Sequence, residues 1–166
     1  FCGFQAGIHM EVVNLDMDYS SGTINITNLV TACRFCAQCF FLEMVGKTDY
    51  GGGKIIYLPS LPQNQLNALC HVLYCAIANA SDYAPEAQNN INLLRLRANH
   101  VEDHLGKGLS EPAMLAQMLI DTPLKERDEV IKSVLKDLRL LPAKAGFSLQ
   151  IEQWAKTSLY ASKGAK

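Results

Sequence analysis

The sequence predicts an α+β chain that is mostly α, and three observations carry that prediction. Residues 1–50 alternate short apolar runs with turn residues and contain Cys33, Cys36 and Cys39 at three-residue spacing. Gly51-Gly52-Gly53 then interrupts the chain and is the natural boundary. Beyond it, from Ser60 almost to the end, apolar residues recur at helical period.

The elements follow in order. Met10-Glu11-Val12-Val13 predicts a strand running into a turn over Asp16–Gly22, and residues 28–44 carry the cysteines into a helix over Ala37–Met44. Lys54–Leu58 predicts a short strand ended by Pro59. Ser60-Leu61-Pro62-Gln63 fits a capping box, and Leu66, Leu69, Cys70, Leu73 and Ile77 form the apolar face of the helix it opens. Pro85 sits in the first turn of a second helix, whose seam is Ile91, Leu94, Ala98, Val101 and Leu105 and whose stop is Gly106. Ser110 caps a third, with Met114, Leu115, Met118 and Leu119 inward. Thr122-Pro123 opens a fourth, with Ile131, Val134, Leu135 and Leu138 as its stripe and Pro142 as its stop. A last helix spans about Leu149–Tyr160, anchored by Trp154, and the tail Ser162–Lys166 has the composition of a disordered end. Tyr74, Tyr83, Leu93, Leu96 and Leu140 lie partly off these inward stripes and offer apolar surface for a peptide.

Bulk composition narrows the function. A chain of 166 residues can bury one core, or one core with a small metal-stapled satellite. It is 49% hydrophobic and 19% charged, the balance of a globular protein. Fifteen Lys and Arg against sixteen Asp and Glu leave no basic excess, which disfavours a phosphate-backbone partner. The uncharged run 66–78 is too short to span a bilayer, so no membrane insertion is expected.

The cysteines carry the chemistry. A Cys-x-x-Cys pair presents two thiolates to one tetrahedral zinc ion, and a closed structural site needs four ligands. Cys2, Cys33 and Cys36 supply three. Cys2-Gly3 has the form of a half-knuckle, which places the fourth ligand on a cysteine upstream of residue 1; Cys39 is held in reserve, and His9 is a further donor. A redox Cys-x-x-Cys would open a helix after a strand in a βαβ unit, a context the sequence does not show. The i, i+4 pairs His71/Cys75 and His100/His104 are expected to be ordinary helix residues; the second lacks the Glu of a His-Glu-x-x-His metalloprotease helix.

Taken in order, Cys2-Gly3, then Glu11–Asp16, then Asn28-Leu29-Val30-Thr31-Ala32-Cys33-Arg34-Phe35-Cys36 resemble the zinc-knuckle form of the HNH endonuclease motif. The resemblance implies a ββα element over residues 1–50, with a helical portion over 54–166 packed on it. It places the first catalytic His at Asn14, the middle Asn or His at Asn28, and the last His or Asn at Ala37 or Gln38. Asn14 cannot take a proton from water and Ala37 cannot bind a metal, so the scaffold is expected without the activity. The alternative is a metal-dependent nuclease or a nucleic-acid-binding zinc module drawing its active groups from His9, Asp16 or Asp18; a redox switch through Cys39 is a third reading.

A closer resemblance spans nearly the whole chain. Phe1–Gly7, Glu43–Gly53, Leu66–Leu73 and Leu135–Pro142 are similar to the DotN (IcmJ) family, the zinc-containing subunits of the Dot/Icm type IVB secretion coupling complex. That resemblance implies a non-enzymatic adaptor at the cytoplasmic face of the inner membrane. It implies as partners the C-terminal tail of the coupling ATPase DotL and, in the same complex, IcmS–IcmW.

Overall fold

In the computed structural model, which describes residues 1–16, 25–47 and 50–163, two small antiparallel sheets are embedded in a mostly helical chain. Strand β1 (Met10–Asn14) pairs with β2 (Leu29–Cys33) from Met10↔Cys33 to Asn14↔Leu29. A short helix α1 (Arg34–Ala37) follows at once, with Cys33 as its N-cap. The helix expected over Ala37–Met44 therefore begins earlier and breaks into 3-10 turns at Gln38–Phe40 and Leu42–Met44. Most of the turn after Asp16, with Asp18, lies outside the described residues, as do Thr48 and Asp49.

The second sheet closes the helical portion on itself. Strand β3 (Gly53–Tyr57) pairs with β4 (Leu138–Pro142) from Gly53↔Pro142 to Tyr57↔Leu138. Between them run α2 (Gln63–Ala78), α3 (Ala84–Leu96), α4 (Ala98–Leu105), α5 (Pro112–Asp121) and α6 (Leu124–Ser133). After β4 comes α7 (Ser148–Lys163), longer than expected, so Ser162 and Lys163 extend a helix; residues 164–166 lie outside the described part.

Strand β4 is the main correction to the sequence reading. Leu138 is not the end of a helical stripe but the first residue of a strand whose Leu140, Leu141 and Pro142 are buried. Its partner is more than 80 residues away, and a Leu-Arg-Leu-Leu-Pro run has no alternation to reveal it. The capping box also gives way. Pro62 is the N-cap of α2 and no side chain caps it; the Gln63 amide instead donates to the Leu140 carbonyl and accepts from the Leu140 N–H, both at 2.8 Å. Gln63 thus pairs with β4 as a strand residue would.

Other departures are local. The seam from Ile91 to Leu105 runs over two helices that break at Arg97, whose guanidinium donates to the Tyr57 carbonyl at 3.1 Å. Ser110 caps nothing: its hydroxyl donates to Glu102 and its carbonyl accepts from Ile55 N–H at 2.8 Å, docking the α5 approach on β3. Leu69, Met114 and Ile131 are exposed, whereas Tyr74 and Leu140 are core; Tyr83, Leu93 and Leu96 do lie at the surface. Gly51 approaches Gly146 so closely that a Cβ at Gly51 would fall 2.2 Å from the Gly146 carbonyl oxygen, so both positions require glycine.

Two apolar clusters fill the interior. The larger gathers Val13, Ala32, Phe35, Ile56, Leu66, Tyr74, Ile91, Phe147, Ile151 and Trp154 around α2 and α7, so residues from both ends of the chain share one core. The smaller is Val45, Ile55, Val101, Leu115 and Leu140. Within the described residues no helix is long and apolar enough to cross a membrane.

Candidate metal centre

The β1–β2 hairpin and α1 deliver two of the three central thiols. Cys33 ends β2 and Cys36 lies in the single turn of α1, so a strand-to-helix corner turns both sulfurs the same way. Cys2 comes from the N-terminal segment, with Gly3 beside it at φ +76. The three sulfurs lie within 4.8 Å of one another, and Cys2 Sγ to Cys33 Sγ is 3.6 Å. Tetrahedral zinc with Zn–S bonds of about 2.3 Å separates its sulfurs by about 3.8 Å, so this spacing suits a metal ion. The sequence thus named three residues that the fold brings together.

Helix α2 adds what the sequence reading did not anticipate. Its inward face is rotated from the Leu66/Leu69/Leu73 stripe so that Asn67 and His71, one turn apart, are each about 1% exposed. Asn67 Nδ2 donates to Cys36 Sγ at 3.2 Å and to the Phe35 carbonyl at 3.2 Å. His71 Nε2 lies 3.2 Å from Cys33 Sγ. The imidazole is clamped between Phe4 and Phe35, stacked at centroid separations of 3.8 and 4.4 Å, with the Trp154 ring edge-on at 4.7 Å. Its other nitrogen, Nδ1, is buried with no hydrogen-bond partner among the described residues. The usable signal was two polar residues at i, i+4 inside an apolar helix; His71, expected with Cys75 to be an ordinary helix residue, instead meets the Cys33 sulfur.

The electrostatics fit a cation. Contacts with the Cys33 and Cys36 thiols, followed by His71, hold the Cys2 thiol far below its ordinary range. The contact with Cys2 is the largest cause pushing Cys33 and Cys36 up, and burial adds to it. The first thiolate is welcomed by its neighbours' S–H groups and then opposes a second, so three thiolates at this spacing need a positive ion. The N–H that Asn67 donates to Cys36 suits a sulfur that carries negative charge.

The remaining sequence candidates stand outside the three-sulfur group, although Cys39 Sγ accepts from the same Asn67 Nδ2 at 3.9 Å. Cys39 donates to the Phe35 carbonyl at 3.3 Å and is pushed up to about 12 by burial. His9 Nε2 is 2.5 Å from Gln153 Oε1. His104 bonds the His100 carbonyl at 2.8 Å on an exposed face. At the positions that the HNH resemblance assigns to catalysis, Asn28 Nδ2 donates to Asn14 Oδ1 at 2.5 Å, and Ala37 and Gln38 are fully buried. Beside them, Glu11 joins β1 to α1 through Arg34 at 3.1 Å and accepts from Tyr50 Oη at 3.2 Å.

No family model matches the chain. A curated relative does: the Type 4 apparatus protein DotN of Legionella pneumophila subsp. pneumophila is 49% identical over 159 residues, which cover 96% of this chain and 73% of that protein. At that identity and coverage the chain belongs to the DotN family of type 4 apparatus proteins.

Proposed function

We propose that the chain is a non-catalytic adaptor subunit of the Dot/Icm type IVB secretion coupling complex, built on a degenerate HNH-like element over residues 1–50 with a structural zinc. Cys2, Cys33 and Cys36 would hold the ion together with a cysteine upstream of residue 1. The proposed partner is the C-terminal tail of the coupling ATPase DotL, in a complex with IcmS–IcmW at the cytoplasmic face of the inner membrane, where effector proteins are received. The observation that carries this reading is the extent of the DotN match, 159 residues at 49% identity.

The site chemistry agrees with an adaptor. Two carboxamides, Asn14 and Asn28, face each other at the hairpin end where HNH cleavage would need an imidazole base. The sulfur cluster is buried against α2, α7 and the aromatic residues, as suits a staple. For the tail, exposed apolar residues on adjacent helices offer contact area: Val72 on α2, and Leu93 and Leu96 on α3, with Leu69, Leu93 and Leu94 lining a shallow cleft of about 270 Å³. An apolar contact of this kind depends weakly on salt.

The experiment is a titration of the isolated DotL tail into the purified protein at low and high salt, with Leu93→Asp as the comparison. Stoichiometric binding that persists in high salt and weakens in the variant is expected. No binding, or binding that collapses as salt rises, would refute the adaptor reading. Plasmid nicking with magnesium or manganese, abolished by a substitution in residues 1–50, would establish the nuclease instead.

A further inference from the structure

Resting on the zinc reading above, we infer that His71 and Asn67 are positioning residues of the metal centre: each donates one N–H to a ligand sulfur, His71 to Cys33 and Asn67 to Cys36, and neither binds the metal. The geometry is explicit for Asn67, whose Nδ2 is 3.2 Å from Cys36 Sγ and is also anchored on the Phe35 carbonyl. For His71 two roles compete, since its Nε2 is 3.2 Å from Cys33 Sγ and an imidazole is itself a zinc ligand.

The far side of the ring decides between them. Metal on Nε2 would force the proton onto Nδ1, and a metal-bound imidazole almost always donates that proton to an acceptor. Nδ1 here is buried and has no partner among the described residues. A buried N–H without an acceptor is rare and costly, whereas an unpaired lone pair is better tolerated. The proton therefore sits on Nε2, where it points at Cys33. The Phe4 and Phe35 faces fix the ring plane, so this direction does not depend on hydrogen bonding alone.

The arrangement has a consequence for the whole chain. One turn of α2 reaches both Cys33 and Cys36, so the charge on two sulfurs is shared with the helix at the centre of the larger core. The fourth ligand position stays open for a sulfur rather than being filled by His71.

The test uses the full natural chain loaded with cobalt(II), and separately with cadmium-113. The wild-type protein is expected to show the charge-transfer bands of an all-sulfur site. In His71→Leu those bands should move to lower energy, because a thiolate without its N–H donor gives up electrons more readily. Zinc affinity, measured by chelator competition, should fall about 10- to 100-fold. His71→Gln, which keeps an N–H at similar reach, should restore both, a rescue that a purely space-filling role would not give. Asn67→Leu should act in the same direction. Unchanged bands and affinity in His71→Leu would overturn the inference, as would a mixed sulfur–nitrogen spectrum in the wild type that His71→Leu abolishes. Should the variants not fold, the cadmium protein decides alone: a correlation from the metal through sulfur to the His71 Nε2 proton is expected, and its absence, or a direct cadmium–nitrogen coupling, would refute the assignment. Failure of the wild-type protein to take up cobalt would remove the zinc reading first, and this inference with it.

Discussion

Around Cys33 and Cys36 the buried surroundings are thiols, an imidazole and a carboxamide; around Leu115 they are Val45, Ile55, Val101 and Leu140. Both regions exclude water, but by different means. The Leu115 cluster gains free energy from removing apolar area from water, and it does so whatever else is bound. The sulfur cluster gathers groups that repel one another once ionised, so a bound cation would add to its order. One region is stable by its own composition; the other is expected to report on metal.

The largest difference should come from Cys33→Ser. Structural zinc supplies on the order of 10 kcal/mol of binding free energy that is also folding free energy. The variant should lose its metal, and hydrogen exchange should rise steeply in β1, β2 and α1 while β3, β4 and α5 stay protected. Elemental analysis and exchange mass spectrometry on one sample measure both. Zinc retained at one equivalent, or uniform loosening of all elements, would mean that the two regions do not differ in their dependence on metal.

The complementary change is Leu115→Ala. A side chain 1% exposed in an apolar cluster should cost about 2–5 kcal/mol when truncated. Zinc content should stay at the wild-type level. Denaturant unfolding gives the cost, and metal analysis shows whether the two regions are as separable as their chemistry suggests. Loss of zinc in this variant would mean that the apolar cluster also holds the staple together.

The same contrast explains what could be read from the sequence. The grouping of Cys2, Cys33 and Cys36 was visible because a Cys-x-x-Cys pair beside a third cysteine has the spacing that a metal site would require. Trp154 and the strands expected at 10–13 and 54–58, observed at Met10–Asn14 and Gly53–Tyr57, were visible from local patterning. What stayed hidden depends on distant partners. Leu138–Pro142 becomes a strand only because Gly53–Tyr57 is there to pair with it, and Gln63 abandons the capping box because Leu140 offers a backbone donor and acceptor together. Asn67 and His71 were hidden for the same reason: in sequence they interrupt an apolar helix, and only the position of the sulfurs gives them partners.

A smaller effect concerns Gln63, which joins β4 to Asn67 by donating to the Leu140 carbonyl and to Asn67 Oδ1. Gln63→Ala should remove two hydrogen bonds to β4 and cost about 1–3 kcal/mol, since Leu140 would keep a donor and an acceptor without partners. Exchange of the Leu140 amide should accelerate, and zinc affinity should fall only slightly, because Asn67 loses the Gln63 contact at 3.0 Å but keeps its bonds to Cys36 and the Phe35 carbonyl. A fall in zinc affinity as large as that of Asn67→Leu would show that the Gln63 contact is what orients Asn67 on the Cys36 sulfur.

The smallest expected effect concerns Cys70, a cysteine of α2 that belongs to the larger core and not to the metal group. Burial, and then the charge of Cys39, pushes its thiol up to about 12. In the unfolded chain that thiol ionises near the ordinary value of about 8.5. Between these values the folded protein holds a proton that the unfolded chain has released, so stability is fully present below pH about 8.5 and falls as pH rises toward 12. Tyr74 is also pushed up by burial and contributes a decline of the same sign at higher pH. Comparison with Cys70→Ala isolates the thiol, because Tyr74 and Cys39 remain in both proteins. The variant should be less stable at pH 7 for loss of packing, yet its stability should decline less steeply between pH 9 and 11, by roughly 1 kcal/mol per pH unit or less. Denaturant midpoints across that range measure the slope. Parallel curves would mean that Cys70 ionises in the folded protein as readily as in the unfolded chain, and that water reaches a part of the core that Leu66 and Tyr74 are expected to keep dry.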